Sequence, residues 1–67
     1  MIRLKSLRSE EKISQKVLAD IIGVSRSTIA MWESGASQPD NDSLKDLADY
    51  FNVSTDYLLG VTSLPNS

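Results

Sequence analysis

The chain has neither cysteine nor histidine among its 67 residues. Without cysteine there is no disulfide framework and no thiolate metal site, and reduced cytoplasm is the natural setting. Without histidine as well, a zinc finger is excluded and the commonest general base is missing. The sequence also has no glycine-rich phosphate loop and no convincing carboxylate pair. We therefore expect no enzyme activity, no cofactor and no metal ion.

Long apolar runs are lacking too. Near the N-terminus Arg3, Lys5 and Arg8 interrupt the apolar residues, which argues against a signal peptide or a membrane span. Hydrophobic residues nevertheless make up 40% of the chain and are spread along it, so a packed globule is expected rather than disorder. A chain of 67 residues has room for one small domain.

The formal net charge is −2, but the two parts of the chain differ in sign. Residues 1–26 contain six Lys and Arg against three Asp and Glu, whereas residues 27–67 contain only Lys45 against six acids. A local positive field attracts phosphates whatever the net charge of the molecule. The division is compatible with nucleic-acid binding and equally with ordinary scatter of surface charges.

One pattern occurs three times: an apolar residue, a serine, three further residues and a second apolar residue. It occupies residues 13–18, 24–29 and 53–58. In each case the serine has the place of a helix N-cap, which accepts from an otherwise unpaired backbone N–H. The apolar pair has the spacing of a hydrophobic staple. The pattern therefore predicts three helix starts.

These signals predict an all-α fold, a compact bundle of five short helices around one core. The helices cover about 2–10, 15–22, 26–34, a stretch capped by Asp40 or Asn41, and about 55–59. Gly35 and Gly60 suit the ends of the third and the last helix. The fourth helix has its apolar residues on one side, at Leu44, Leu47, Ala48 and Phe51. We expect one folded domain over residues 1–60 and a flexible tail or linker start over 61–67.

Residues 15–34 are the most informative stretch, because they read as two amphipathic helices joined by a tight turn at Gly23. Such a pair is a helix-turn-helix, which presents its second helix to the DNA major groove. The apolar residues of the pair are Val17, Leu18, Ile21 and Ile22 in the first helix and Ile29 and Trp32 in the second.

The outer side of the second helix of this pair has small or polar residues at its start. Arg26 has a planar fork of donors that can bind guanine O6 and N7, and Met31 suits a thymine methyl group. Ser27 is short enough to contact a base edge or a phosphate, and Ser25 should lie near the DNA backbone. The alternative is a plain solvated face, which would normally carry more Lys and Glu and no exposed Met.

Residues over nearly the whole chain resemble the phage repressor and Cro helix-turn-helix family, also called the xenobiotic-response-element family of bacterial regulators. The resemblance implies a lambda-repressor-like fold and double-stranded DNA as the partner. The matching residues are Leu7-Arg8, Ser14-Gln15, Leu18-Ala19, Gly23-Val24-Ser25, Ser27-Thr28-Ile29, Trp32-Glu33-Ser34-Gly35, Gln38-Pro39, Leu44, Leu47-Ala48, Phe51-Asn52-Val53-Ser54 and Tyr57-Leu58-Leu59-Gly60.

The resemblance implies a role for individual residues. Gln15 matches a glutamine that reaches the DNA backbone and sometimes a base at the edge of the site. Arg8 and Glu33 resemble an ion pair between helix 1 and the end of helix 3, the alternative being two independent surface charges. Three residues match base-contacting positions of the family: Arg26, Ser27 and Met31. Contacts with the DNA backbone are expected at Ser14, Lys16, Ser37 and Gln38. Structural positions of the family are matched by Ala19, Gly23 and Trp32.

Two departures from the family pattern concern charge and backbone. Basic residues that often follow the glycine at position 35 are replaced by Ala36-Ser37-Gln38, and the glycine that usually ends helix 1 is replaced by Lys12. Fewer cationic phosphate contacts imply a shallower dependence of binding on salt. Affinity, rather than function, is what these departures put in question.

The resemblance implies a homodimer on DNA. Helix 5 and the residues after it are the candidate contact surface, because Tyr57, Leu58, Leu59 and Val61 offer more apolar area than the core needs. The alternative is that Tyr57 and Leu58 simply close the core. We expect a transcriptional regulator, most simply a phage-like repressor on a pseudo-palindromic operator. A protein-interaction module, such as an antitoxin or a regulatory adapter that uses the acidic face of residues 40–56, is the second hypothesis.

Overall fold

The computed structural model describes residues 2–65, and their fold is the predicted all-α bundle. Met1 of the predicted domain and Asn66 and Ser67 of the predicted tail lie outside the described residues. The five helices are α1 (Leu4–Glu10), α2 (Gln15–Ile22), α3 (Arg26–Ser34), α4 (Asn41–Phe51) and α5 (Thr55–Leu58). No strand is present between residues 2 and 65.

Side-chain caps set the start of four helices. The hydroxyls of Ser14, Ser25 and Ser54 accept from the backbone N–H three residues later, at 3.1, 3.2 and 3.0 Å. Asp40 caps α4 in the same way, accepting from the N–H of Ser43 at 2.9 Å. The apolar residue before each serine packs against the core, as the staple requires. The three predicted serine caps are thus confirmed, and so is the alternative with Asp40 as the cap of α4.

Helix α1 begins two residues later than predicted, at Leu4 rather than Ile2. The backbone N–H of Arg3 donates to the carbonyl oxygen of Leu58 at 2.8 Å, so this residue joins the two ends of the fold. A contact across 55 residues of chain is invisible to local helix signals, which explains the difference. Helix α5 ends at Leu58, one residue earlier than predicted, within the ordinary uncertainty of a helix end.

One core holds the five helices together. It is formed by buried leucines from α1, α2, α4 and α5 and by Ile29 and Trp32 from α3. Its members are Leu4, Leu7, Leu18, Ala19, Ile29, Trp32, Leu47, Phe51 and Leu58. Helices α2 and α3 pack most extensively against each other, and Ala19 is 1% exposed. Little room remains for a larger side chain there.

The turn between α2 and α3 closes at Gly23, whose φ of 87° lies in the left-handed region. Its N–H and that of Val24 both donate to the carbonyl oxygen of Ala19, at 2.8 and 3.0 Å. Residues with a side chain rarely adopt this conformation, so glycine sets the angle at which α3 leaves α2. Lys12, which follows α1, has a φ of 59°; it therefore adopts the left-handed conformation without being glycine.

The apolar residues predicted for α2 divide between the core and the surface. Leu18 is fully buried and Ile22 packs against the core, but Val17 and Ile21 are 44% and 46% exposed. A short helix packed on one side buries a stripe of about 100°. Four apolar residues in six positions are too many for that stripe.

Residues 61–65, the described part of the predicted tail, make several contacts with the rest of the chain. The carbonyl oxygen of Pro65 accepts from the N–H of Ser54 at 2.7 Å. That of Thr62 accepts from Nη2 of Arg3 at 3.3 Å. Val61 and Leu64 are nevertheless 73% and 61% exposed. The boundary of the domain near residue 60 stays a prediction.

Candidate nucleic-acid interface

Helix α3 has a buried and an exposed side. Ile29 and Trp32 are buried in the core, whereas Arg26, Ser27 and Met31 are exposed, Met31 by 42%. Arg26 and Ser27 are the first two residues of α3, and Met31 lies about one turn further along the helix. The three residues of α3 that were predicted to contact bases therefore share one accessible surface.

Arg26 is the first residue of α3 and is exposed. Its guanidinium makes no ion pair and no hydrogen bond with any other residue between 2 and 65. An unpaired, flexible guanidinium keeps its five donors available for a planar acceptor group. Arg26 is therefore equipped to bind a base edge or a phosphate.

Hydroxyl groups cluster where α3 begins. The Oγ of Ser25 lies 3.0 Å from that of Ser27 and 2.8 Å from Oγ1 of Thr28, and it accepts from the N–H of Thr28. The cap occupies one of the first backbone donors of the helix and leaves others without an intrahelical partner. A helix N-terminus with free N–H groups favours an anion.

Two more of the residues that were expected near the DNA backbone, Ser14 and Lys16, lie at the start of α2. Ser14 is the exposed cap of the helix. Lys16 Nζ lies 3.2 Å from Oδ2 of Asp20, and both side chains are largely exposed. An exposed pair of this type contributes only a few tenths of a kcal/mol. Lys16 is thus easily released to another anion.

The ion pair between Arg8 and Glu33 is present, and its two side chains are only 15% and 6% exposed. Nε of Arg8 donates to Oε2 of Glu33 at 2.8 Å and Nη2 donates to Oε1 at 3.2 Å. Nη1 of Arg8 donates to the carbonyl oxygen of Ile13 at 3.0 Å. The guanidinium therefore connects α1, the segment before α2 and the end of α3.

Gln15 belongs to the same network. Its Nε2 donates to Oε1 of Glu33 at 3.0 Å, so Glu33 receives hydrogen bonds from two helices. Burial raises the pKa of Glu33, but the hydrogen bonds from Arg8 and Gln15 and the charge of Arg8 outweigh it, so its pKa lies below the ordinary value. The hydrogen bond with Glu33 raises the pKa of Arg8. The Gln15 contact was not predicted, and because it joins residues 18 apart, no local spacing could have revealed it.

The cations of the N-terminal part have different surroundings. Lys5 and Lys12 are exposed, but Arg3 donates from Nε to the carbonyl oxygen of Tyr57 at 2.9 Å. Its guanidinium carbon lies 4.6 Å from the centre of the Tyr57 ring, a cation–π geometry. Arg3 and Arg8 are therefore engaged within the fold, and fewer cations are available for phosphates than the charge count suggested.

The remaining predicted positions lie beyond α3 and in or directly after α5. Ser37 is half-buried and its N–H donates to the carbonyl oxygen of Met31 at 3.3 Å, while Gln38 is exposed. Tyr57 packs partly against the core, Leu59 is half-buried and Val61 exposed. Leu58 is fully buried, which confirms that it closes the core. Of the predicted dimer surface, Val61 is the most accessible member.

Two other kinds of site are absent from residues 2–65. None of the helices there has the length and apolar character needed to cross a bilayer. Nor do His, Cys, Asp and Glu side chains gather there into a group that could hold a metal ion.

Comparison with known proteins gives one family and several relatives. The model of a helix-turn-helix family matches residues 4–58. The chain is 38% identical over 64 residues to the uncharacterized HTH-type transcriptional regulator YobD of Bacillus subtilis, covering 96% of this chain and 57% of that protein. It is 40% identical over 57 residues to the HTH-type transcriptional activator BcrR of Enterococcus faecalis, covering 85% and 28%.

A third relative is the SPbeta prophage-derived uncharacterized HTH-type transcriptional regulator YonR of Bacillus subtilis. It is 39% identical over 57 residues, which are 85% of this chain and 53% of that protein. The chain thus spans between 28% and 57% of the length of these three relatives.

Proposed function

Because the chain belongs to the helix-turn-helix family, of the Cro/C1 type, we propose that it binds double-stranded DNA sequence-specifically and thereby regulates transcription in the cytoplasm. The relatives named above are transcriptional regulators, which supports regulation as the outcome of binding. No part of this role calls for bond-making chemistry, so we propose that the protein is not an enzyme.

The observation that carries the proposal is the exposed side of α3. Arg26, Ser27 and Met31 are accessible together, while Ile29 and Trp32 fix the helix from the other side. With α3 in the major groove, Arg26 binds guanine O6 and N7 and Met31 contacts a thymine methyl group. Ser27 binds a neighbouring base edge or phosphate.

Phosphates on either side of the groove take the remaining contacts. The starts of α2 and α3 supply backbone N–H groups and hydroxyls, and a helix N-terminus favours phosphate. Gln15, at the edge of the site, contacts a base, and we assign the backbone contacts to Ser14, Lys16, Ser25, Ser37 and Gln38. Contacts of this kind position the protein without reading sequence.

We further propose a twofold dimer that represses from a pseudo-palindromic operator. One copy of α3 covers one short half-site, and a dimer places two such helices one DNA turn, about 34 Å, apart. Val61 and Leu59 are accessible enough for the dimer contact, whereas Tyr57 is covered on one face by Arg3. Repression follows most simply if the bound dimer blocks polymerase.

Selection of bound duplexes from a random pool tests the function. We expect one enriched motif, and its length and symmetry report whether a dimer binds. Arg26→Ala should weaken binding to that motif by about 1–3 kcal/mol and relax the preference at one base pair, because a bidentate contact is lost. Lys45→Ala removes the same charge from an exposed position of α4 and serves as the matched control, with unchanged base preference.

Two results would contradict the proposal. A pool with no enriched motif would exclude sequence-specific binding and favour a protein partner, as an antitoxin or adapter has. Equal losses for Arg26→Ala and Lys45→Ala on all duplexes would show that Arg26 reads no base and would contradict the role assigned to it.

A further inference from the structure

Gln15 and Glu33 touch through a single hydrogen bond, from Nε2 to Oε1 at 3.0 Å. We propose that Glu33 is a positioning residue which orients the Gln15 amide to read one adenine at the edge of the DNA half-site. This inference rests on the proposed function, since it requires α2 and α3 to lie against DNA. It assigns to the partly buried ion pair of Arg8 and Glu33 a part in base recognition as well as in stability.

The direction of the Gln15 amide follows from hydrogen-bonding rules. An ionised carboxylate has acceptors only, so the group of Gln15 that faces Glu33 must be its NH2. The amide oxygen is then directed elsewhere, and one of the two amide hydrogens is still free. Gln15 therefore offers DNA one donor and one acceptor rather than donors alone.

This pair of groups selects among the possible DNA partners. Adenine presents an acceptor at N7 and a donor at N6 in the major groove, which match a glutamine amide. Guanine presents two acceptors there, N7 and O6, and a phosphate presents only negative oxygens. With either of these only the free amide hydrogen of Gln15 finds a partner, and the amide oxygen is left without a donor. Adenine leaves neither group of the amide unpaired.

Glu33 can fix the orientation of the Gln15 amide because hydrogen bonds from Arg8 fix the Glu33 carboxylate. Two donors of Arg8 bind it, and a third donor of Arg8 binds the carbonyl oxygen of Ile13, which precedes the cap of α2. The Glu33 side chain is 6% exposed, so water competes little for its oxygens. A side chain that is already ordered loses less entropy when DNA binds.

A double-mutant cycle on the selected duplex tests the proposal. Its members are wild type, Gln15→Ala, Glu33→Gln and the double variant, each measured at a temperature at which circular dichroism shows it folded. For wild type, replacing the edge A·T pair by G·C should weaken binding about tenfold, which equals 1.4 kcal/mol. Gln15→Ala should abolish this preference, Glu33→Gln should reduce it, and the double variant should resemble Gln15→Ala.

Glu33→Gln is the informative change because it keeps the shape of the side chain. The new amide has one oxygen to accept from Arg8 or Gln15 and an NH2 that opposes the other donor. Lys16→Ala is the matched control next to Gln15: it should weaken binding to all duplexes alike and leave the A·T preference intact.

Additive effects in the cycle, or a Glu33→Gln variant that keeps the full A·T preference, would overturn the role of Glu33. A wild-type preference for G·C at the edge would do the same. These results presuppose an enriched motif, so they are distinguishable from failure of the proposed function, in which no motif appears.

A measurement on the free wild-type protein covers the case in which Glu33→Gln fails to fold. Nuclear Overhauser contacts should connect the Nε2 hydrogens of Gln15 with the side chain of Glu33. Two sharp amide hydrogen signals that differ from those of exposed Gln38 are also expected. Averaged signals identical to those of Gln38 would overturn the proposal.

Discussion

The region of α1, α2 and α3 and the region of α4 and α5 are held by different interactions. In the first, a polar network around Glu33 joins residues 18 and 25 apart in addition to the apolar core. The second region is held by apolar packing of the buried side chains Leu47, Phe51 and Leu58. Local caps at Asp40 and Ser54 fix the starts of its two helices. The network lies beside the residues proposed to bind DNA.

The difference has a physical meaning. Apolar packing is non-directional, so it stabilises a helix without determining the direction of any polar group. Hydrogen bonds between a guanidinium, a carboxylate and an amide demand specific angles and distances. A region that must present donors and acceptors in fixed directions benefits from the second kind of interaction.

The largest effect is expected when the network is broken. Arg8→Ala leaves the Glu33 carboxylate nearly buried without its partner, and removing one member of a buried pair costs about 3–5 kcal/mol of unfolding free energy. Urea denaturation measures this loss of unfolding free energy. Arg8→Met retains apolar volume, so it should lose less packing energy than Arg8→Ala. It leaves the same unpaired charge on Glu33. A loss below about 1 kcal/mol for Arg8→Ala would show that the pair behaves like a surface salt bridge.

A matched change in the other region sharpens the comparison. Leu47→Ala creates a cavity beneath α4 and should cost about 2–5 kcal/mol, a loss similar to that of Arg8→Ala. Because it leaves the network intact, the folded variant should keep the base preferences of wild type, whereas Arg8→Ala should alter them. Identical preferences in the two variants would remove the distinction between the regions.

Acid should affect the two regions unequally. The pKa of Glu33 is lowered in the folded state, so its contribution to stability is present above the unfolded pKa, about 4.3, and is lost as the pH falls through the lower folded value. Hydrogen bonds from Ser43 lower the pKa of Asp40 as well, with the same sign. Thermal unfolding followed from neutral pH to below pH 4 measures the loss.

Two uncharged variants separate these contributions. Glu33→Gln should flatten the acid part of the stability curve most. Asp40→Asn keeps an N-cap of similar quality and should flatten it little, because Asp40 is exposed. A larger effect from Asp40→Asn would place the acid-sensitive group in the second region.

The smallest effect concerns the backbone between α1 and α2. Lys12 has a φ of 59°, which costs a residue with a Cβ roughly 1–2 kcal/mol. Glycine avoids that strain but has more freedom in the unfolded chain, so Lys12→Gly should stabilise the protein by at most about 1 kcal/mol, as measured by urea denaturation. Lys45→Gly, within α4, should destabilise it by about 1 kcal/mol. A destabilised Lys12→Gly variant would mean that Lys12 makes a compensating contact.

The sequence predicted most of the fold because its helix signals are local. A serine cap and its staple act within five residues, and the glycine ends of α2 and α3 depend on a single backbone angle. The exposed side of α3 was predictable for a related reason, since helical periodicity separates Arg26, Ser27 and Met31 from Ile29 and Trp32. Their contacts with DNA stay predictions.

Distant partners were harder to predict. The pair of Arg8 and Glu33 was expected only from a family resemblance, and the engagement of Arg3 by Tyr57 was not expected at all. Charge counts treat every cation as equally available, but burial and hydrogen bonding decide which ones are. Residue type does not decide burial either: Val17 and Ile21 are apolar but exposed, because packing buries only one stripe of α2.

By itself the sequence determined where α2, α3 and α5 begin, because their serine caps are satisfied by neighbours along the chain. It also determined which residues of α3 face outward, because 3.6 residues make a turn. Only the tertiary structure decided that Arg3 and Arg8 form hydrogen bonds while the Arg26 guanidinium has no partner within residues 2–65, and that Gln15 donates to Glu33. The hydrogen bonds from Arg3 to Tyr57, from Arg8 to Glu33 and from Gln15 to Glu33 join residues 54, 25 and 18 positions apart. They form only once packing of the core has brought the helices together.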